Sequence, residues 1–464
     1  MVSCAQMLIV IDACAVTVAL PSAQADLGVS DLDRLWITNT ATLTWGALLL
    51  LGGRVADYAG RKRTLVVGLL GFAGASIIAG SATGPATLIA GRALQGACAG
   101  LLTPAALAIL TGMFPHARER ARAFGIYGGV AAAGSVIGLL LGGLLTEVES
   151  WRWCLYASVP IAAVIALAAL AILRESKAER GRSHDVPGAI TGTGGVVLLA
   201  YGITRLGGHG GAIGSVFGGG LILAGAFLLA TFWMIERRSP DPLLPPLILL
   251  DRRRGGAMLA TFVVCLGVLP VLMLTLYLQR VLGYTALGTG LALVPISVGT
   301  VLSSVAAGEL IPRFGGTAVT LAGLGSLMSG LLLLAQLSIS SSYLAHVLPG
   351  EVLLSVGLGL AFVPLSSIAL HGIAADDTGA GSAAYLATQQ VGGALGAALL
   401  NTVVTTTTAN WIAGFGADAS ATEIMDATVH GYAAAFSLGA GMTFLAGVIV
   451  FALLRRRPGV LARM

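Results

Sequence analysis

Apolar residues run on for 18 or more positions at a time along this chain, stop at a short polar break, and begin again. At 1.5 Å per residue each run covers about 30 Å, the thickness of bilayer hydrocarbon. The runs predict fourteen spanning helices over 2–22, 35–53, 65–82, 86–113, 125–146, 153–173, 187–206, 216–235, 257–279, 290–311, 317–337, 343–370, 382–408 and 431–454. No short apolar region with a small-residue cleavage site precedes the first, so a retained helix is expected there and not a secretion signal.

Composition agrees with the pattern. Of 464 residues 56% are apolar and 10% charged, with mean hydropathy +0.91, whereas soluble domains carry about 25% charged residues. A soluble protein is excluded. The 65 glycines suit helices that must approach closely where lipid supplies no hydrophobic drive between them. Cys4, Cys14, Cys98, Cys154 and Cys265 all fall in apolar runs without metal-ligand spacing, so they read as small hydrophobes. The net charge of +5 does not mark a nucleic-acid protein, because the basic residues lie in short loops with no aromatic platform beside them.

Those basic residues report orientation instead. Loops after the even-numbered spans, together with the C-terminal tail, hold 21 of the 26 Lys and Arg, and the opposite loops hold Arg34, Arg152, Arg205 and Arg280. Positively charged loops resist translocation, so both termini are expected to be cytoplasmic, in a multi-pass inner (plasma) membrane protein.

Two stretches read as internal copies, a sign of a transporter built from related halves. GRVADYAG (53–60) matches GELIPRFG (308–315) at an offset of 255, which also carries Gly138 onto Gly393, and GACAGLLTP (96–104) resembles the GLGLAFVP that ends at Pro364. The chain is therefore expected to divide into an N-terminal six-helix bundle (1–175), an inserted helix pair with its flanking loops (176–255), and a C-terminal six-helix bundle (256–464).

No phosphate-binding loop, zinc pair or nucleophile elbow is present in the sequence, so neither an enzyme nor an ATP-driven pump is expected. What stands out is a handful of charges inside spans, where each is costly enough to suggest function. Asp12 lies midway along span 1, where ionising a carboxyl is costly and proton uptake comes within reach. Arg92, about six residues into span 4, needs a carboxylate or carbonyls, and Asp12 is the candidate partner. Such a pair couples proton movement to rocking of the halves; a purely structural ion pair is the alternative. Glu351 in span 12 lies close to the repeat equivalent of Arg92, where it would neutralise a cation or carry a second proton, or else bond locally to Ser355. Glu309, near a span end, reads as snorkelling to the interface.

The loop GRVADYAGRKR combines Gly53 and Gly60 at tight helix ends with Asp57 and the basic trio Arg61, Lys62 and Arg63. It reads as a conformational latch between halves, and Arg313 occupies the corresponding loop of the second half. Gly134, Gly138, Gly142 and Gly143 in span 5 predict close packing on one face. Asn39, Trp45, Gln95, Tyr127, Gln389 and Gln390 are candidates to line a substrate cavity, with helix packing as the alternative for each.

These motifs resemble the major facilitator superfamily, specifically its fourteen-span drug:proton antiporter branch, over essentially the whole chain. GRVADYAGRKR resembles the superfamily's loop 2/3 signature, GRALQG its span 4 signature with the arginine at Arg92, and IDACAVTVALP the branch's span 1 pattern with its acid at Asp12. WITNT, SWRWCLYASVP, SPDPLLPPLIL and YLQRVLGYTALGTGLALVP are similar to further stretches of the branch. The resemblance implies an all-α membrane protein with two pseudo-symmetric six-helix bundles and an inserted pair. It implies alternating access, and export of drug-like or antibiotic molecules driven by the proton gradient with no cofactor. A monomer and a hydrophobic or cationic small-molecule substrate are expected. The chain departs from the pattern at Leu139, where proline normally follows the middle glycine of the span 5 motif, and at Pro312, where the repeat places the counterpart of Asp57. A carrier for a metabolite or peptide, or a membrane sensor without transport, remains the alternative.

Overall fold

The computed structural model describes residues 1–114, 117–176, 185–206, 211–239, 250–268, 270–371, 378–415 and 420–454. The basic residues Lys177, Arg180 and Arg182 and those of the C-terminal tail lie outside them. Numbered as the predicted spans, the helices are α1 (Val2–Leu27), α2 (Asp31–Ala59), α3 (Arg61–Gly80), α4 (Pro85–Met113), α5 (Ala117–Val148), α6 (Trp151–Ile172), α7 (Val186–Leu206) and α8 (Gly211–Arg238). There follow α9 (in two pieces, Arg252–Gly267 and Pro270–Arg280), α10 (Ala286–Phe314), α11 (Gly316–Leu334), α12 (Tyr343–Ala369), α13 (Thr378–Phe415) and α14 (Ala421–Leu454). Among the described residues no strand occurs, as a bilayer requires of segments that must satisfy their own backbone.

Local chemistry sets the ends and breaks. Asp251 caps α9, accepting the amides of Arg253 at 3.1 Å and Arg254 at 2.8 Å. Those bonds, the Arg254 amide foremost, hold its carboxyl below the usual carboxylate range. Helix α6 breaks at Ala157 into Trp151–Tyr156 and Ser158–Ile172, and α12 opens with a single π turn, Tyr343–Val347. Gly60 and Gly315 join α2 to α3 and α10 to α11 with φ of 110° and 83°, a region open to glycine and strained for other residues. These two glycines stand at matching places in the repeat, so the internal copy found in the sequence is a copy of backbone geometry.

The packing repeats as well. Helix α4 lies against α2 and α3 in the first half, and α12 lies against α10 and α11 in the second; α1 pairs with α5 and α9 with α13. Between halves, α2 meets α13 and α5 meets α10. The inserted helices α7 and α8 pack on each other, and α7 also touches α2 and α13, where Thr193 donates to Ala47 O and Thr402 to Ile203 O. The pair therefore stands beside the α2–α13 seam.

The glycines of α5 divide their work. A Cβ on Gly134, Gly138 or Gly142 would overlap α1 at Met7, Ile11 and Ala15, whereas one on Gly143 would overlap Ala286 and Leu287 of α10 in the other half. Leu139 faces that same seam, its carbonyl against Gly290. In the second half the corresponding close approach to α9 falls on Gly392 and Gly396, and Gly393 faces open space. The 255-residue offset thus misses the packing face by one residue.

Candidate functional site

Asp12 and Arg92 meet. Arg92 Nη1 donates to Asp12 Oδ2 at 2.5 Å, and both residues are 3% exposed. The same Nη1 reaches Gln95 Oε1 at 2.6 Å, and Nε donates to the Ile37 carbonyl at 3.3 Å. Gln95 Nε2 donates to Asp12 Oδ1 at 3.0 Å and to Ser76 Oγ at 2.7 Å, and the Ser158 hydroxyl donates to Asp12 Oδ1 at 3.2 Å. Five helices of the first half converge here: α1, α2, α3, α4 and α6. Burial of an ion pair is tolerated only when its remaining donors and acceptors are also met, and this network meets that condition. Gln95, a candidate for the cavity wall, instead belongs to the network and is sealed from solvent.

Six residues before Asp12, roughly 9 Å along α1, a second polar cluster sits nearer the side that carries the loop between α2 and α3. Gln6 Oε1 accepts from Tyr127 Oη at 2.9 Å and from Thr103 Oγ1 at 3.3 Å, and Trp45 Nε1 donates to Thr103 Oγ1 at 3.2 Å. Gln6, Trp45 and Tyr127 remain half-exposed. From the other half, Gln390 lies against Gly46, beside Trp45, and Gln389 and Gln390 are both half-buried. Asn39 bonds across the seam to the Ala394 carbonyl at 3.3 Å.

Glu351 lies apart in the second half, fully buried, where Tyr343 Oη approaches its Oε2 at 3.2 Å. Ser355, the local partner considered from sequence, donates to the Val352 carbonyl instead. Glu309 lies near the end of α10, one turn from the exposed Arg313.

The latch residues bond within their own half. Asp57 pairs with Arg61 at 3.2 Å, Arg61 Nη1 donates to Ala108 O at 3.4 Å, and Lys62 Nζ donates to Leu170 O at 2.8 Å. Glu175, not singled out from sequence, accepts the Lys62 and Arg63 amides at 3.1 and 3.2 Å and so caps α3. Gly53 packs against Pro104. Among the described residues the far end holds bonds between the six-helix halves, Glu147 to Leu287, Gln279 to Val18 and Arg280 to Gln24, and the Asn39–Ala394 bond lies deeper in the seam.

The family model of the Major Facilitator Superfamily matches residues 2–397. The chain is 41% identical over 457 residues to a puromycin resistance protein of Streptomyces alboniger, covering 98% of this chain and 90% of the relative. It is 39% identical over 407 residues to a cephamycin export protein of Amycolatopsis lactamdurans, covering 86% and 83%. It is 31% identical over 400 residues to a lincomycin resistance protein of Streptomyces lincolnensis, covering 85% and 81%. In structure it is similar to the inward-open xylose transporter XylE of E. coli, with TM-score 0.64, 12% identity and coverage of 99% and 96%. A bacterial homologue of the lysosomal transporter Spinster gives TM-score 0.65 at 17% identity, covering 99% and 98%.

Proposed function

Because the chain belongs to the Major Facilitator Superfamily, we propose that it exports antibiotic or drug-like small molecules in exchange for protons, by alternating access between its two six-helix halves. The relatives named for puromycin and lincomycin resistance and for cephamycin export support the substrate class. The buried Asp12–Arg92 pair supports the coupling. While Arg92 holds Asp12, the carboxylate has every reason to stay ionised; once rocking separates the helices, ionisation in hydrocarbon loses its compensation and a proton binds. All five contributing helices belong to the first half, so in this reading the pair opens by shifts among those helices as the halves rock.

The Gln6–Trp45–Thr103–Tyr127 cluster is the substrate-facing surface in this reading, with Gln389 and Gln390 opposite it. Aromatic rings with neutral hydrogen-bonding groups suit a hydrophobic or cationic drug. Gly53, Asp57, Gly60, Arg61, Lys62 and Arg313 form the latch that favours one access state. In this reading the domains divide near 175/176 and 255/256, with the first helix of the second half starting slightly earlier, at Arg252, and the protein acts as a monomer in the plasma membrane with both termini in the cytoplasm. One charge crossing 100 mV contributes about 2.3 kcal/mol, enough for roughly a fortyfold gradient of a neutral substrate.

The test is a susceptibility panel with puromycin, a cephamycin and lincomycin in an efflux-deficient host, comparing wild type with Asp12→Asn and Arg92→Ala. Protection by wild type and its loss in both variants is expected; full protection by both variants would remove Asp12 and Arg92 from the coupling step.

A further inference from the structure

Glu351 sits at the start of the regular part of α12 with none of its side chain exposed. Its Oε1 has no partner, and no basic side chain pairs with it among the described residues. This differs from Asp12, whose oxygens are both served. Helix α10 presents the Ala292 carbonyl toward this region, and α11 presents Leu334 and Gly330 to the same turn of α12. From α9, α10, α11 and α13 no further titratable side chain reaches Glu351 among the described residues; Tyr343 does, with Tyr284 behind it.

The tyrosine hydroxyl has two acceptors and one proton. Tyr343 Oη lies 3.2 Å from Glu351 Oε2 and 2.7 Å from the Ala292 carbonyl, and a hydroxyl donates to one acceptor at a time. With Glu351 ionised, the hydroxyl donates to the carboxylate. With Glu351 protonated, the acid donates to Tyr343 Oη, which donates onward to Ala292. Both protonation forms are thus accommodated by turning one hydroxyl.

Tyr343 also connects outward. It lies in the π turn that opens α12, a kind of irregularity frequent at functional sites, and its ring is 6.2 Å from that of Tyr284. Tyr284 lines an open cavity of about 640 Å³ at the far end, bordered by Pro21, Gln24, Gly28, Gln279 and Arg280.

We propose that Glu351 is a second proton-exchange site, carried by the C-terminal half and reached from the far-side cavity past Tyr284 and through the Tyr343 hydroxyl. On uptake, the Tyr343 proton passes to Glu351 Oε2 and Tyr343 is reprotonated from cavity water; release reverses both transfers. The place of this site in the transport cycle rests on the proton-coupled reading above, but its chemistry does not. Two protons exchanged for one monovalent cation carry a net positive charge inward, so the membrane potential would drive export of a cationic drug together with the pH gradient.

Two measurements test this on the full chain in liposomes. Infrared difference spectra across a pH titration read the carbonyl stretch of protonated carboxyls. A band that vanishes as pH rises is expected in Asp12→Asn, which removes the other proton-binding carboxyl, and is missing once Glu351→Gln is added to it. Tyr343→Phe, which keeps the volume, should retain the band at a shifted frequency. Ethidium export at equal pH on both sides, with an imposed potassium diffusion potential, should respond to voltage in wild type and lose that response in Glu351→Gln. A band that persists in the Asp12→Asn/Glu351→Gln double variant, or an unchanged voltage response in Glu351→Gln, overturns the proposal. If Asp12→Asn exports normally while the Glu351 band behaves as described, the coupling role of Asp12 fails and this site stands.

Discussion

Glu147, at the end of α5, accepts the backbone amide of Leu287 in the first turn of α10 at 3.1 Å, so a side chain of one half caps a helix of the other. Helix N-termini have unsatisfied amides and attract negative charge. Thr285 supplies the cap from within α10, accepting the Gly288 amide at 3.0 Å, and Glu147 adds a second from across the seam. One turn back, Gly143 allows the backbones to touch. The far end is therefore closed by backbone proximity and by one bond that removal of a carboxylate would break.

Glu147→Ala should weaken that closure. A hydrogen bond to a charged group contributes about 1.5–3 kcal/mol, and solvent at this exposed position lowers it to about 1 kcal/mol, or roughly a fivefold change in population. Spin labels on Val148→Cys and Leu344→Cys, exposed at the far end of opposite halves, would read it in a background with the native cysteines replaced. The longer-distance population should grow. An unchanged distance distribution would show that backbone packing and the Gln279–Val18 and Arg280–Gln24 bonds hold the end shut without Glu147.

The Asp12–Arg92 pair predicts non-additive losses of stability. Arg92→Ala strands a buried carboxylate, and breaking a buried pair from one side costs about 3–5 kcal/mol. Asp12→Asn combined with Arg92→Gln leaves two neutral, hydrogen-bonding side chains and should cost less than Arg92→Ala alone. Thermal melting in detergent, followed by size-exclusion fluorescence, checks the order. A double variant that melts lower than Arg92→Ala would mean that Gln95, Ser76 and Ser158 do not accommodate the neutral pair.

How much of this site was legible in the sequence depends on what each residue needs. Asp12, Arg92 and Glu351 stood out because a charge in hydrocarbon is costly wherever its partner lies. Ser76, Ser158, Gln6 and Thr103 did not, because a hydroxyl or amide in a span is cheap and becomes informative only when another helix brings its partner. Glu175 and Glu147 sit at helix ends, where a carboxylate is ordinary, and only the crossing of chains revealed what they cap. The same holds for Gln95, which the span 4 pattern placed on a helix face without saying which one. Fourteen spans and two related halves were legible because they follow from length, hydropathy and repetition.

The glycine register in α13 gives a sharper test. One residue along a helix turns the side chain by about 100°, so Gly393, the sequence counterpart of Gly138, points away from α9 while Gly392 and Gly396 meet it. Gly138→Ala should overlap Ile11, and Gly396→Ala should overlap Leu266, each costing about 1–3 kcal/mol. Gly393→Ala has open space and should be neutral, or stabilising by up to about 1 kcal/mol through helix propensity. Melting temperatures of the three variants decide it; a loss at Gly393 equal to that at Gly138 would restore the uncorrected register.

The loop between α2 and α3 separates stability from switching. Glu175 caps α3 through the Lys62 and Arg63 amides, and loss of such a cap costs about 1 kcal/mol, so Glu175→Ala should melt earlier while retaining export. Asp57 and Arg61 form a partly solvated pair with side-chain exposures of 44% and 23%, of a kind that contributes about 0–1 kcal/mol. Asp57→Asn should therefore melt close to wild type. If Asp57 acts as a latch, its substitution redistributes access states and export of puromycin from energised vesicles falls, even though the protein is intact. Wild-type export by Asp57→Asn, with unchanged melting, would leave the Asp57–Arg61 pair as a surface contact and move the switching element elsewhere, the Glu147–Leu287 closure being the next to test.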